Sequence, residues 1–182
     1  MNKILFHILT FSLRALISGC ASSFMLHPNI ANILERRILI SESDYGENFE
    51  LIEVENKDDK KLSGFLISNK TDFGTLVIAG GNAMGLKQTL EYIKHLARKG
   101  FRLLVISYQG FGDNEGEYNL GSLTSDIKSF YDAIRARYQN EPIIFSGDSI
   151  GAISGICTAS KYDIFDGIVV EGILDPKTIP YS

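Results

Sequence analysis

The sequence predicts an α/β domain, a mostly parallel sheet preceded by an antiparallel hairpin, and three observations carry that prediction. Apolar and acidic residues alternate over 49–54, and an apolar stretch over 62–67 follows the polar turn Asn56-Lys57-Asp58-Asp59-Lys60, the pattern of a hairpin. Residues 75–79 (Thr-Leu-Val-Ile-Ala) are then continuously apolar apart from the opening Thr, as in a strand covered on both faces. Further along, strand and helix patterns alternate, which argues for parallel strands joined by crossovers.

The elements follow in order. A helix is expected over 86–99, where Leu90, Ile93, Leu96 and Ala97 share one stripe and Gly100 provides the stop. Residues 101–107 form the next strand, and 108–121 a loop rich in Gly and Asp. A second helix over 124–138 turns Ile127, Phe130, Tyr131 and Ile134 inward. A strand over 142–146, a helix over 150–160 and a strand over 167–170 complete the pattern. The chain thus divides into a leading segment (1–19), a spacer with a short helix near 30–38 (20–47), and the sheet domain (48–182).

At 182 residues the chain is long enough for one domain with a sizeable core. Hydrophobic residues make up 45% and charged residues 22%, ordinary proportions for a globular protein. The net charge of -4 gives no electrostatic reason to expect a nucleic-acid partner. The three His residues (His7, His27, His95) are scattered, and no metal-ligand spacing or cofactor motif is visible. Beyond residue 40 no apolar stretch is long enough to span a bilayer.

The leading segment has Lys3, an apolar run over 4–13, and then Ile17-Ser18-Gly19-Cys20. A basic start, a short apolar stretch and small residues before a cut site mark a secretory signal. Ending on Cys20, it resembles a bacterial lipoprotein signal. That resemblance implies cleavage before Cys20, lipidation of its thiol, and a chain anchored to the cell-envelope membrane by several acyl groups. Ala21, where an Asp would imply inner-membrane retention, points to the outer membrane. An ordinary amphipathic start or an uncleaved signal anchor is the alternative, because His7 and Arg14 interrupt the apolar character. The second Cys, Cys157, falls in an apolar helix and is expected to be a small buried residue.

The strongest chemical signal is Gly147-Asp148-Ser149-Ile150-Gly151, a G-x-S-x-G placed between an expected strand and an expected helix. A sharp turn there lifts the Ser hydroxyl clear of the sheet, and the two Gly residues remove side chains that would strike neighbouring backbone. The Ile150 amide would then stand at a helix N-terminus, able to donate to an oxyanion.

Two more segments join it. Gly80-Gly81-Asn82-Ala83-Met84-Gly85 follows the buried strand directly, and Ser107-Tyr108-Gln109-Gly110-Phe111-Gly112-Asp113-Asn114-Glu115-Gly116 follows the next one. In their order these three segments resemble the α/β-hydrolase family, in particular its Bem46-like, ABHD13-type branch of serine hydrolases. The first is similar to that branch's H-G-N-A-G loop, with Gly80 in place of His. The second is similar to its Y-R-G-Y-G-x-S-x-G segment, with Gln109 for Arg and Asn114 for Ser. The resemblance covers residues 49–175 and implies Ser149 as nucleophile, with the amides of Ile150 and Asn82 as oxyanion donors. Nucleotide readings fit less well. Leu86 stands where a phosphate-binding loop needs Lys, and the spacing from Gly110 to Gly116 is one residue too long for a dinucleotide fingerprint.

The resemblance also implies an acid and a His after the Ser. Residues 150–182 contain Asp163, Asp166, Glu171 and Asp175 but no His. His95 lies on the helix after the oxyanion loop and is expected to be a surface or packed helix residue rather than the base. The family would continue through two more strands and a helix, so this chain resembles a C-terminally truncated member. The expected function is that of a serine hydrolase of the esterase, thioesterase or peptidase class, working on a small-molecule or peptide acyl substrate through an acyl-enzyme. The alternative is a catalytically inactive, membrane-anchored lipoprotein that keeps the scaffold for binding or as a decaying remnant.

Overall fold

The computed structural model describes residues 40–41, 45, 48–68, 73–82, 84–97 and 99–172. The signal-type segment, Cys20, the helix expected near 30–38 and Asp175 lie outside the described residues. Six strands form one mixed sheet: β1 (Phe49–Glu55), β2 (Lys61–Ile67), β3 (Thr75–Ala79), β4 (Arg102–Ile106), β5 (Ile143–Asp148) and β6 (Gly167–Glu171). Three helices accompany them: α1 (Leu86–Ile93), α2 (Leu120–Arg137) and α3 (Ile150–Tyr162). The sheet order is β1-β2-β4-β3-β5-β6, with β1 and β2 antiparallel to their neighbours and β3 to β6 mutually parallel. Among the described residues no helix is long and apolar enough to cross a membrane.

The apolar runs sort onto two faces because successive strand residues point to opposite sides. On one face Leu62, Leu66, Val77, Leu104, Ile106 and Phe145 pack against Leu123, Ile127, Phe130 and Ile134 of α2. On the other, Ile67, Ile78, Leu103 and Val105 meet Leu86, Leu90 and Ile93 of α1. At about 25 cal/mol per Å² these interlocked layers dominate the favourable free energy. The hairpin's alternation is explained too: Ile52 and Val54 pack on the core while Glu53 and Glu55 face water.

Three details depart from the sequence reading. The α1 helix ends at Ile93, where the chain tightens into a 3₁₀ turn over Lys94–Leu96 rather than continuing to 99. The apolar stripe runs through that change of pitch, since Ala97 is still buried, so periodicity alone does not reveal it. The α2 helix begins at Leu120, four residues early, because the Asn119 side chain accepts from the Ser122 amide at 2.8 Å and caps it. Tyr131 on α2 packs against the core as expected while staying half-buried, its ring edge-on to Phe165. Cys157 is exposed, not buried, because α3 presents its Gly151, Ala152, Ser154, Gly155 and Thr158 face to the sheet.

Candidate active site

The strand order sets the location. From β3 the chain passes through α1 on one face to β4, then through α2 on the other face to β5, which lies on the opposite side of β3. Such a switch opens a crevice at the carboxyl ends of β3 and β5. The loop beginning at Gly80 leaves β3 there, and Ser149 leaves β5 there.

Ser149 has φ 53° and ψ -110°, a conformation that side chains rarely adopt. It holds that conformation because the segment is tied from both directions. Its amide donates to the Glu171 carbonyl at 3.0 Å, and its carbonyl accepts from the Ile153 amide at 3.2 Å as the first bond of α3. A Cβ on Gly147 would stand 2.6 Å from the Gly151 carbonyl carbon, and one on Gly151 would collide with the Ala79 carbonyl oxygen. Only glycines let strand, turn and helix approach this closely. The half-buried Ser149 has no side-chain hydrogen bond among the described residues. Ile150 opens the helix, so its amide belongs to the first turn that lacks intrahelical acceptors.

The β3 loop lies beside this elbow. A Cβ on Gly81 would be 3.5 Å from the Ser149 Cβ and 3.1 Å from Asp148 Oδ2. The Gly81 carbonyl accepts from the Met84 amide at 3.0 Å. Since a peptide unit is planar and trans, the Asn82 N–H points away from that turn. Asn82 is half-buried, and its side-chain Oδ1 is buried with no partner among the described residues. The structure therefore brings Ser149 and the Gly81-Asn82 segment together, with Ile150 following the serine. Gly80 has its own cause: a Cβ there would collide with Thr89 Oγ1, which itself donates to the Gly85 carbonyl at 2.9 Å. A histidine at position 80 would need that contact to open.

The charges around the elbow are acidic. Burial, and then the Glu171 charge, hold the Asp148 carboxyl above the usual carboxylate range, offset in part by the Ser149 amide. Of the four acids after the serine, Glu171 lies at the carboxyl end of β6 beside the elbow. Asp163 and Asp166 precede β6 at the opposite end of the sheet, where Asp166 accepts from the Ile143 amide at 2.8 Å. His95 sits exposed in the 3₁₀ turn after α1, which runs back from the β3 loop toward the start of β4, again away from Ser149.

The β4 loop forms a third wall. Tyr108 is buried and donates its hydroxyl to the Gly80 carbonyl at 3.2 Å. Asn114 donates to the Tyr108 carbonyl at 3.0 Å and accepts from the Ser63 amide at 2.8 Å, fastening the loop to β2. Gln109 is held through both its backbone and side-chain N–H by Asp126 on α2. Nothing in the local sequence singles out Asp126, because its partners Asn56 and Gln109 are distant in the chain.

A strained serine between a parallel strand and a helix, beside a glycine-rich loop from the neighbouring strand, is the arrangement of an α/β hydrolase. Residues 71–172 match the family model described as serine aminopeptidase, S33, more than half of the chain, and the chain belongs to that α/β-hydrolase family. It is similar to alpha/beta hydrolase domain-containing protein 17C of Mus musculus, 34% identical over 92 residues that cover 49% of this chain and 29% of that protein. It is also similar to the human protein ABHD12B, 35% identical over 86 residues covering 47% of this chain and 23% of the other. Among solved structures, the Pyrococcus furiosus esterase Pf2001 superposes with a TM-score of 0.66 at 21% identity, over 75% of this chain and 55% of that one. The lidless serine hydrolase XC6422 of Xanthomonas campestris gives 0.57 at 13% identity, over 69% and 61%. These two likenesses concern the fold. The chain spans under a third of the two curated relatives' length and little more than half of the esterase's.

Proposed function

We propose that the site is the nucleophile and oxyanion half of a serine hydrolase acting on an ester, thioester or peptide acyl group. The observation that carries this is the strained φ of Ser149 facing the Gly81-Asn82 segment. In the proposed reaction Ser149 Oγ attacks the acyl carbonyl carbon as its proton passes to a base. The carbonyl electrons move to the oxygen, which accepts from the Asn82 and Ile150 amides. Collapse expels the protonated alcohol, thiol or amine and leaves acyl-Ser149, which water cleaves in a second addition. Gly80 to Asn82 and Ser149 to Ile150 supply position and charge stabilisation in each step.

The proton acceptor is the open part of this scheme. Residues 150–182 hold no His, and the exposed His95 sits in the 3₁₀ turn after α1, at the end of that helix away from the β3 loop. The proposal is that an acid and a His outside the described residues complete the triad, as in a longer member of the Bem46-like branch. It also includes a lipid anchor at Cys20 that holds the domain at a cell-envelope membrane, supported by the Ile17-Ser18-Gly19-Cys20 sequence. The second reading, an inactive anchored scaffold, draws on the lack of a His among residues 150–182.

The test appends the acid- and His-bearing C-terminal segment of a homologous hydrolase and assays a short-chain ester. Hydrolysis that depends on Ser149, with little turnover by the 182-residue chain alone, is the expected result. A fused protein that folds but stays inactive favours the scaffold reading.

A further inference from the structure

We infer that Asp126 is a positioning residue for the loop that carries the Asn82 amide, acting through Gln109 and Tyr108. This rests on the proposed oxyanion role of that amide. Asp126 is 0% exposed, and Gln109 and Asn56 beside it are each 4% exposed. Its Oδ2 accepts from the Gln109 backbone N–H at 3.1 Å. Its Oδ1 accepts from Gln109 Nε2 at 3.1 Å and from Asn56 Nδ2 at 2.8 Å. The carboxylate thus grips one residue by main chain and side chain together, which fixes the peptide that Gln109 shares with Tyr108. Tyr108, 1% exposed, in turn donates to the Gly80 carbonyl at 3.2 Å. Gly80 leads directly into Gly81, whose Cα faces Ser149, and into Asn82. A continuous line of buried hydrogen bonds therefore runs from the middle of α2 to the crevice.

The chemistry of the grip supports a positional role. Every group donating to Asp126 is neutral, and no ion pair with it occurs among the described residues. Taking a carboxylate out of water without a cation is expensive, and an apolar residue of similar size would fill the same space more cheaply. An acceptor with two oxygens, however, can hold the Gln109 amide and side chain at once. The other end of the grip is equally built. Asn56 Oδ1 accepts from the Asp58 and Lys60 amides at 2.9 and 3.1 Å, so the β1-β2 turn is the fixed point against which the β4 loop is held.

The test is residue-resolved amide hydrogen exchange on the full chain, comparing wild type with Tyr108→Phe, Asp126→Asn and the double variant. Tyr108→Phe is expected to speed exchange at Gly80 to Gly85 about tenfold, the weight of one hydrogen bond. Asp126→Asn touches no atom of that loop, yet is expected to speed the same amides by a similar factor, and the double variant by less than the product. Gln109→Met, which removes the side-chain donor while keeping its length, provides the second route if Asp126→Asn does not fold. In the fused hydrolase described above, Asp126→Asn should lower kcat and leave KM unchanged. Loop exchange that follows global unfolding alone, or effects that multiply independently, would overturn the inference. The exchange readout does not depend on catalysis, so an inactive fusion leaves this result standing, and a failed coupling leaves the Ser149 proposal untouched.

Discussion

The Ser149 amide donates to the Glu171 carbonyl at 3.0 Å, so the main chain of the candidate nucleophile is tied to the last residue of β6. The Glu171 side chain acts on the site separately, as a negative charge near Asp148. Glu171→Gln keeps the backbone bond and removes the charge. The Asp148 carboxyl should then titrate closer to its usual range without reaching it, because burial is the larger cause. Carbon-13 titration of the Asp148 carboxyl checks this, and an unchanged midpoint would contradict it.

The tight contact between Gly151 and the Ala79 carbonyl leaves no room for a methyl group. Gly151→Ala must push the start of α3 away from β3 and is expected to destabilise the fold by about 3 kcal/mol, the upper end for overpacking. Urea unfolding followed by circular dichroism measures it.

Asp126 gives the fold a pH dependence of definite sign. Burial raises its folded pKa above the ordinary 3.8, against the opposing hydrogen bonds from Gln109 and Asn56, with the nearby Asp58 charge adding to the rise. Its favourable contribution is therefore fully present below 3.8 and is lost as pH rises through the folded value. The difference in unfolding free energy between wild type and Asp126→Asn should shift in the variant's favour as pH increases across that window. Paired urea titrations at acid and neutral pH test it, and a difference that stays constant would contradict it.

The exposure of Cys157 has a direct consequence. In a Cys20→Ser background, a maleimide should modify Cys157 in the native state at nearly its rate in urea. Strong native-state protection would argue that α3 turns a different face to the sheet.

How much of this was legible follows from where the signals lie. Apolar runs are local, so the bounds of β3 and the start of α1 could be read from the sequence alone. The elbow was legible because its constraint is local as well: glycines must flank a serine that leaves a strand and enters a helix. Cys157 was misplaced because α3 is apolar nearly all round, leaving no period to say which face is buried. Asp126 was invisible because its hydrogen bonds reach 17 and 70 residues along the chain, and no spacing rule describes such a meeting. The β4 loop motif is legible in the sequence, while the role of its Tyr108 depends on the sheet setting β4 beside β3.

The claim that Ser149 is a nucleophile awaiting its base is tested most directly by a fluorophosphonate probe. The reagent would be applied to the fused hydrolase, to the 182-residue chain and to Ser149→Ala, with the labelled peptide mapped by mass spectrometry. Rapid labelling at Ser149 in the fusion, very slow labelling in the shorter chain and none in the alanine variant are expected. Labelling of another residue, or a folded fusion whose Ser149 stays unmodified, would contradict the account.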